Sequence, residues 1–174
     1  MTVKGFFLKN LVEIVKKKKG PEGIEELEKR FGQSVNFSSF KDYPMEMEVE
    51  LHYAMIDVLY SENKPEAHFE FGRIAFKTYA ESLVGKTVFS LFGDDVKKIA
   101  MAVSRALNTV TSGLIVETED LGPNKVKVTM KNNPYPIEYY EGIWTAGIEH
   151  FGYKPKVETK TLGKEHYEYV LEWE

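Results

Sequence analysis

Hydrophobic positions recur every three to four residues through the first part of the chain and every second residue through the last part, so two kinds of secondary structure are predicted in succession. From Val3 to Lys19, Phe7, Leu11, Ile14 and Val15 share one helical face, and Gly20-Pro21 marks a stop and a restart. Ile24, Leu27 and Phe31 carry a short second helix to Gly32, and Ser34, Asn36, Ser38 and Ser39 make a polar loop. Pro44 opens a longer helix whose stripe of Leu51, Met55, Val58 and Leu59 is widened by Met47, His52 and Ile56, so both sides should be covered. After the break at Ser61 to Lys64, Pro65 suits the first turn of a fourth helix, which runs through Ala67, Phe71, Ile74, Ala75, Tyr79 and Leu83 to a stop at Gly85. Thr87 to Phe92 reads as a short apolar connector. Gly93-Asp94-Asp95 offers a carboxylate cap, and Val96, Ile99, Val103 and Leu107 form a fifth helix ending near Asn108.

Beyond Thr111 the period changes. Leu114 and Val116 alternate with polar neighbours, as do Val126, Val128 and Met130 with Lys125, Lys127, Thr129 and Lys131, giving a hairpin around Leu121-Gly122-Pro123-Asn124. Pro134 to Phe151 reads as a helix with Ile137, Tyr140, Trp144, Gly147, Ile148 and Phe151 on one face. A last hairpin pairs Lys156–Thr161 with Tyr167–Trp173 around Gly163. The fold class is therefore α+β: a helical layer over about residues 1–109, then a β-β-α-β-β antiparallel unit over about 110–174, within one domain spanning 1–174.

Composition narrows the function classes. A chain of 174 residues with 43% hydrophobic, 13% aromatic and 29% charged residues can bury a full core, which excludes a disordered or collagen-like protein. A net charge of −4 supplies no basic field for nucleic acid. The lack of cysteine removes disulfides, thiol nucleophiles, iron–sulfur clusters and cysteine-bound zinc. No apolar run reaches the ~18 residues of a membrane span and the N-terminus has no signal-peptide pattern, so a cytoplasmic location is expected.

The chemical motifs are sparse. Gly85-Lys86-Thr87 resembles the tail of a phosphate-binding loop, but Ala80 stands where the earlier glycine belongs and a helix, not a strand, precedes it. His52, His68, His150 and His166 lie in four separate elements, so no metal site is expected and they read as packed or surface residues. No Gly-x-Ser-x-Gly elbow is present, and no catalytic constellation emerges. Glu117 and Glu119 share a strand face and could pair as acid and base, although the solvated side of an edge strand explains them better. Lys16 to Lys19 fits a solvated helix C-terminus. Aromatic residues are the richer feature. Tyr79, Tyr140 and Trp144 fall on inward stripes yet carry polar tips, which makes them candidate lining for an apolar pocket between the fourth helix and the late helix.

Phe71-Gly72-Arg73, Tyr79, Val84-Gly85-Lys86, Gly122-Pro123, Tyr140-x-Gly142, Gly152 and Tyr167-x-Tyr169-x-x-x-Trp173 together resemble a myxobacterial-type paralogous family of unknown function. That family is similar in layout to a superfamily of haem nitric oxide/oxygen-binding (H-NOX) domains, 4-vinyl-reductase-like sensor domains and TRAPP subunits. Lys4-Gly5, Phe31-Gly32 and Tyr43-Pro44 also resemble the start of an H-NOX domain. The resemblance implies a non-enzymatic sensor or adaptor that binds an apolar small molecule and signals to a protein partner, with homodimerisation expected. A ligand-free homodimeric scaffold is the alternative, a haem gas sensor the third reading and an enzyme the fourth. No cofactor is expected: the Tyr-x-Ser-x-Arg propionate clamp is absent, since none of Arg30, Arg73 and Arg105 has Tyr and Ser at the required offsets, and the helix from Asp95 to Asn108 lacks the proximal histidine.

Overall fold

Residues 1–60, 64–92 and 95–174 are described by a computed structural model, in which a helical layer packs on an antiparallel sheet. The chain opens with a short strand, β1 (Thr2–Lys4), and runs into α1 (Gly5–Phe31). Gly20 breaks that helix where the sequence indicates, because its backbone (φ 65°, ψ −156°) is one a side chain would strain, and Pro21 restarts it. Strand β2 (Asp42–Pro44) leads into α2 (Met45–Leu59), and α3 (Pro65–Glu81) begins on Pro65 as expected. The predicted break at Ser61 to Lys64 lies largely outside the described residues.

Two expectations in the middle of the chain are corrected. Thr87 to Phe92 is not a connector but part of α4 (Leu83–Phe92), and Gly85 lies inside that helix instead of ending its predecessor. The boundary falls at Ser82, whose hydroxyl donates to the Tyr79 carbonyl and accepts from the Gly85 N–H, closing α3 and starting α4 in one residue. Helix α5 (Val96–Val110) follows, its Asp95 carboxylate accepting from the Lys98 N–H as the predicted cap; Gly93 and Asp94 lie outside the described residues.

A two-residue strand, β3 (Thr111–Ser112), joins β1 and β2 in a three-stranded sheet of order β2-β1-β3. The main sheet contains β4 (Ile115–Gly122), β5 (Lys125–Lys131), β6 (Pro155–Gly163) and β7 (His166–Trp173) in the order β4-β5-β7-β6, all antiparallel, with α6 (Ile137–His150) between its hairpins. Val126, Val128, Met130, Tyr169, Leu171 and Trp173 turn one face into the core. Glu117 and Glu119 stand on the other face, paired with Lys131 and Lys127 of the neighbouring strand, as a solvated edge requires. At the opposite edge β6 is exposed on both faces from Glu158 to Gly163. Lys16 to Lys19 are exposed, as read from the sequence.

The contact that organises the helical layer is between α3 and α6. A Cβ on Gly72 would collide with the Tyr139 carbonyl, and one on Gly142 with that of Phe69, so the two backbones touch with no side chain between them. Arg73 and Glu149 close the same interface with a 2.7 Å ion pair. Among the described residues no helix is long and apolar enough to cross a membrane.

Candidate functional site

The fold gathers titratable residues where α2, α3 and α6 meet. Glu48 and His52 are one turn apart on α2 and so share its inward face, His68 enters from α3, and Tyr139 and Tyr140 come from α6. Tyr135 is placed by the segment before α6: the Asn133 side-chain oxygen accepts from the Tyr135 N–H at 3.2 Å, an Asx turn that bends the chain inward ahead of Pro136. Glu48, His52 and His68 are 7%, 0% and 5% exposed.

His52 Nε2 lies 2.8 Å from His68 Nδ1 with the rings nearly parallel, so one nitrogen donates and the other accepts. Phe71, Tyr135 and Tyr139 set their rings edge-on around His52 at centroid distances of 5.1, 5.6 and 4.7 Å. His52 Nδ1 and the Tyr135 hydroxyl are buried without a hydrogen-bond partner of good geometry.

Burial, and then the neighbouring His68, hold the His52 imidazole down at about 3, so it is neutral across the physiological range. Burial also lowers His68, against the pull of the Glu138 carboxylate nearer the surface. Glu48 moves the other way: desolvation raises its carboxyl to about 7, with the adjacent Tyr135 hydroxyl only partly opposing. Tyr135, Tyr139 and Tyr140 are pushed up by burial first and by Glu48 second. The site is therefore uncharged when Glu48 holds its proton, and that one proton decides whether the core carries a charge.

Of the residues singled out from the sequence, Tyr140 and Trp144 lie one turn apart on α6 in the main core, Tyr140 against Tyr135, Tyr139 and Tyr169. The Trp144 indole N–H is buried without an acceptor. Tyr79 sits apart, at the end of α3, between Phe6 and Phe89. The space between α3 and α6, where the sequence reading puts a pocket, is closed at Gly72 and Gly142 by the backbone contact. The two cavities described lie elsewhere: one of about 250 Å³ lined by Pro65, Glu66, Phe69, Glu138 and Glu141, and one of about 410 Å³ lined by Lys98, Met101, Ala102 and Arg105. The sequence reading had no reason to bring His52 and His68 together. The available signal was the presence of Glu48 and His52 four residues apart on the same side of α2 as Leu51 and Met55.

Solved structures similar to the chain include H-NOX domains. An oxygen-binding H-NOX domain related to soluble guanylate cyclases, in its oxygen complex, superposes with a TM-score of 0.79 at 14% identity, covering 98% of this chain and 95% of that one. An H-NOX protein from S. oneidensis in the Fe(II)NO ligation state gives 0.77 at 18% identity, covering 98% and 99%. The Fe(II) unliganded H-NOX protein from K. algicida gives 0.73 at 13%, covering 98% and 96%. At these identities the likeness is one of fold. No curated protein matches the sequence.

Haem iron needs an axial donor facing an open space. Here α5 carries no histidine, tyrosine or cysteine, neither described cavity is lined by one, and His52 and His68 turn facing nitrogens on each other. The remaining His52 nitrogen is enclosed by aromatic rings, and the described residues contain no group of three or more histidine, cysteine or acidic side chains able to hold a metal ion. Among the described residues neither cavity thus has a histidine, tyrosine or cysteine as axial donor, and the one sulfur at the larger cavity is the Met101 thioether. The fold is shared with these structures, the interior of this chain holds aromatic rings and a buried acid, and a family model covering residues 1–174 shows that the chain belongs to the protein family of unknown function DUF2378.

Proposed function

We propose that the chain is a non-enzymatic, haem-free, cytoplasmic sensor or adaptor domain that binds an apolar small molecule and passes its state to a protein partner. The observation that carries this reading is the H-NOX fold along 98% of the chain, an architecture whose solved examples include an oxygen complex and an NO-ligated form. The donor set described above supports the haem-free part. The buried Trp144 N–H supports the ligand: an acceptor brought by a bound molecule would relieve a desolvated donor worth about 1–3 kcal/mol, with Tyr140 one turn away on α6. In evolutionary terms the family is read as a myxobacterial-type paralogous branch of the H-NOX, 4-vinyl-reductase-like and TRAPP-like superfamily.

Native mass spectrometry of the purified protein before and after denaturation tests the reading. An adduct lost on denaturation is expected, and the bare chain mass in both states overturns the ligand. Expression with excess haem should give no stoichiometric Soret band. A Soret band abolished by replacing one histidine, with His52 and His150 the first to try, overturns the haem-free assignment.

One observation favours the ligand-free homodimeric scaffold instead. Helix α4 leaves Leu83 and Leu91 exposed, an apolar surface that a second copy or a partner would cover. Sedimentation at tens of micromolar showing only a 20.0 kDa species would end the homodimer form of that reading.

A further inference from the structure

We propose that Glu48, Tyr135 and the His52–His68 pair form a buried proton switch, in which loss of the Glu48 proton loosens the seat of α2 against Tyr135 and α6. The inference goes beyond the sensor reading and stands whether or not a small molecule binds.

The geometry supplies both halves of a switch. The groups that face Glu48 are the phenols of Tyr135, Tyr139 and Tyr140, with His52 one turn along the same helix and His68 behind it; burial and Tyr135 are what act on its carboxyl, and among the described residues no charge from α1, β1 or β2, which also pack on α2, acts on it. An ionised carboxylate there is desolvated, and among the described residues no cation acts on it, so the acid form persists up to neutrality. His52 cannot serve as that cation, because burial and His68 keep it neutral. Glu138, the carboxylate acting on His68, would only add negative charge.

The packed arrangement also leaves hydrogen-bonding capacity unused. His52 Nδ1 is buried and unpartnered and the Tyr135 hydroxyl has only the Glu48 carboxyl beside it, without good geometry, so an arrangement that admits water to Glu48 gains partners for them as well as solvation for the charge. That gain is what brings a second, looser state within reach once the carboxyl ionises. Tyr135 is held by a short Asx turn ahead of Pro136, and Asn133 by its N–H to the Glu165 carbonyl, so the switch requires these bonds to yield while the α3–α6 backbone contact stays in place.

Carboxyl-carbon NMR of the labelled protein gives the direct test. Glu48 should titrate near neutrality, and a midpoint in the ordinary carboxylate range around 4.5 overturns the proposal. Amide exchange along α2 gives the second readout, comparing wild type with Glu48→Gln so that the chemistry of exchange cancels. The ratio of wild-type to variant exchange rates should rise about tenfold between pH 6 and pH 8, because the looser state gains one pH unit more of deprotonation than the packed one. A ratio that does not change with pH overturns the switch. Should the variant fail to fold, the carboxyl titration decides alone.

Discussion

The α3–α6 pair and the α4–α5 pair are both made of amphipathic helices, yet they are packed by opposite means. In the first, glycines bring two backbones into contact, an ion pair fixes the register, and the neighbouring side chains join the main core. In the second, Phe89 of α4 and Ile99 of α5 meet in a small cluster completed by Ala80 of α3, with Leu83 83% and Leu91 73% exposed on α4. The difference teaches where a response could be expressed. A close-packed interface resists displacement, while apolar area not yet buried is free energy still available to a partner.

Truncation of the tight region should have the largest effect. Trp144→Ala is expected to cost about 3–5 kcal/mol in chemical denaturation, since it empties a buried indole site. Repeating the measurement with co-purified lipid or aromatic compounds sharpens the result. A midpoint indifferent to every compound, together with the large penalty, favours the scaffold over the sensor.

Gly142→Ala should come next, at roughly 3 kcal/mol, because its Cβ would press on the Phe69 carbonyl and not on a yielding side chain. If thermal unfolding moves by no more than for an exposed helical glycine, the claim that backbone contact organises this region is broken.

On α2, which packs beside the tight pair, the two buried titratable groups pull stability in opposite directions. His52, lowered to about 3 in the fold from 6.5, contributes stability present above pH 6.5 and lost as pH falls toward 3. Glu48, raised to about 7 from 4.5, contributes stability present below pH 4.5 and lost as pH rises through 7. Between pH 4.5 and 6.5 the two nearly cancel in the wild type. Glu48→Gln should uncover the histidine limb, losing about 2 kcal/mol between pH 6.5 and 4.5 where the wild type changes little. Parallel profiles for the two proteins would show that Glu48 is not holding a proton in the core.

The smallest effect belongs to the loose region. Leu83→Ser and Leu91→Ser should each leave stability within about 0.5 kcal/mol, while lowering any self-association seen by sedimentation. A loss of several kcal/mol from either would mean that α4 is part of the main core after all, and the contrast would fail.

The fold was largely legible because its long elements carry strong periodicity: the stripe on α2, the Pro65 start of α3, the Asp95 cap and the alternation of β5 all appear where the pattern puts them. Strands β1, β2 and β3 escaped notice because two or three residues cannot display an alternation. Helix α4 escaped because Gly85-Lys86-Thr87 looks like punctuation, whereas its Ser82 start depends on a side chain answering two backbone groups at once. The candidate site was half legible. Tyr140 and Trp144 were placed correctly on the inward face of α6, and His52 on the inward stripe of α2. The meeting of His52 with His68 depends on how α2 and α3 dock across a chain reversal, and the entry of Tyr135 depends on an Asx turn. Neither is a property of local spacing.

The exposed stretch of β6 has a bearing on the molecule's life in a crowded solution. A nine-residue edge strand, bare on both faces over its last six positions, is the kind of template on which unpaired chains stack into fibrils. Lys156, Glu158 and Lys160 are spaced every second residue along it, so in a parallel, in-register stack each charge would sit directly over its own copy. Pro155 withholds a backbone donor at the strand's start. The edge is thus long enough to complete the sheet while its like charges oppose the growth of an ordered aggregate.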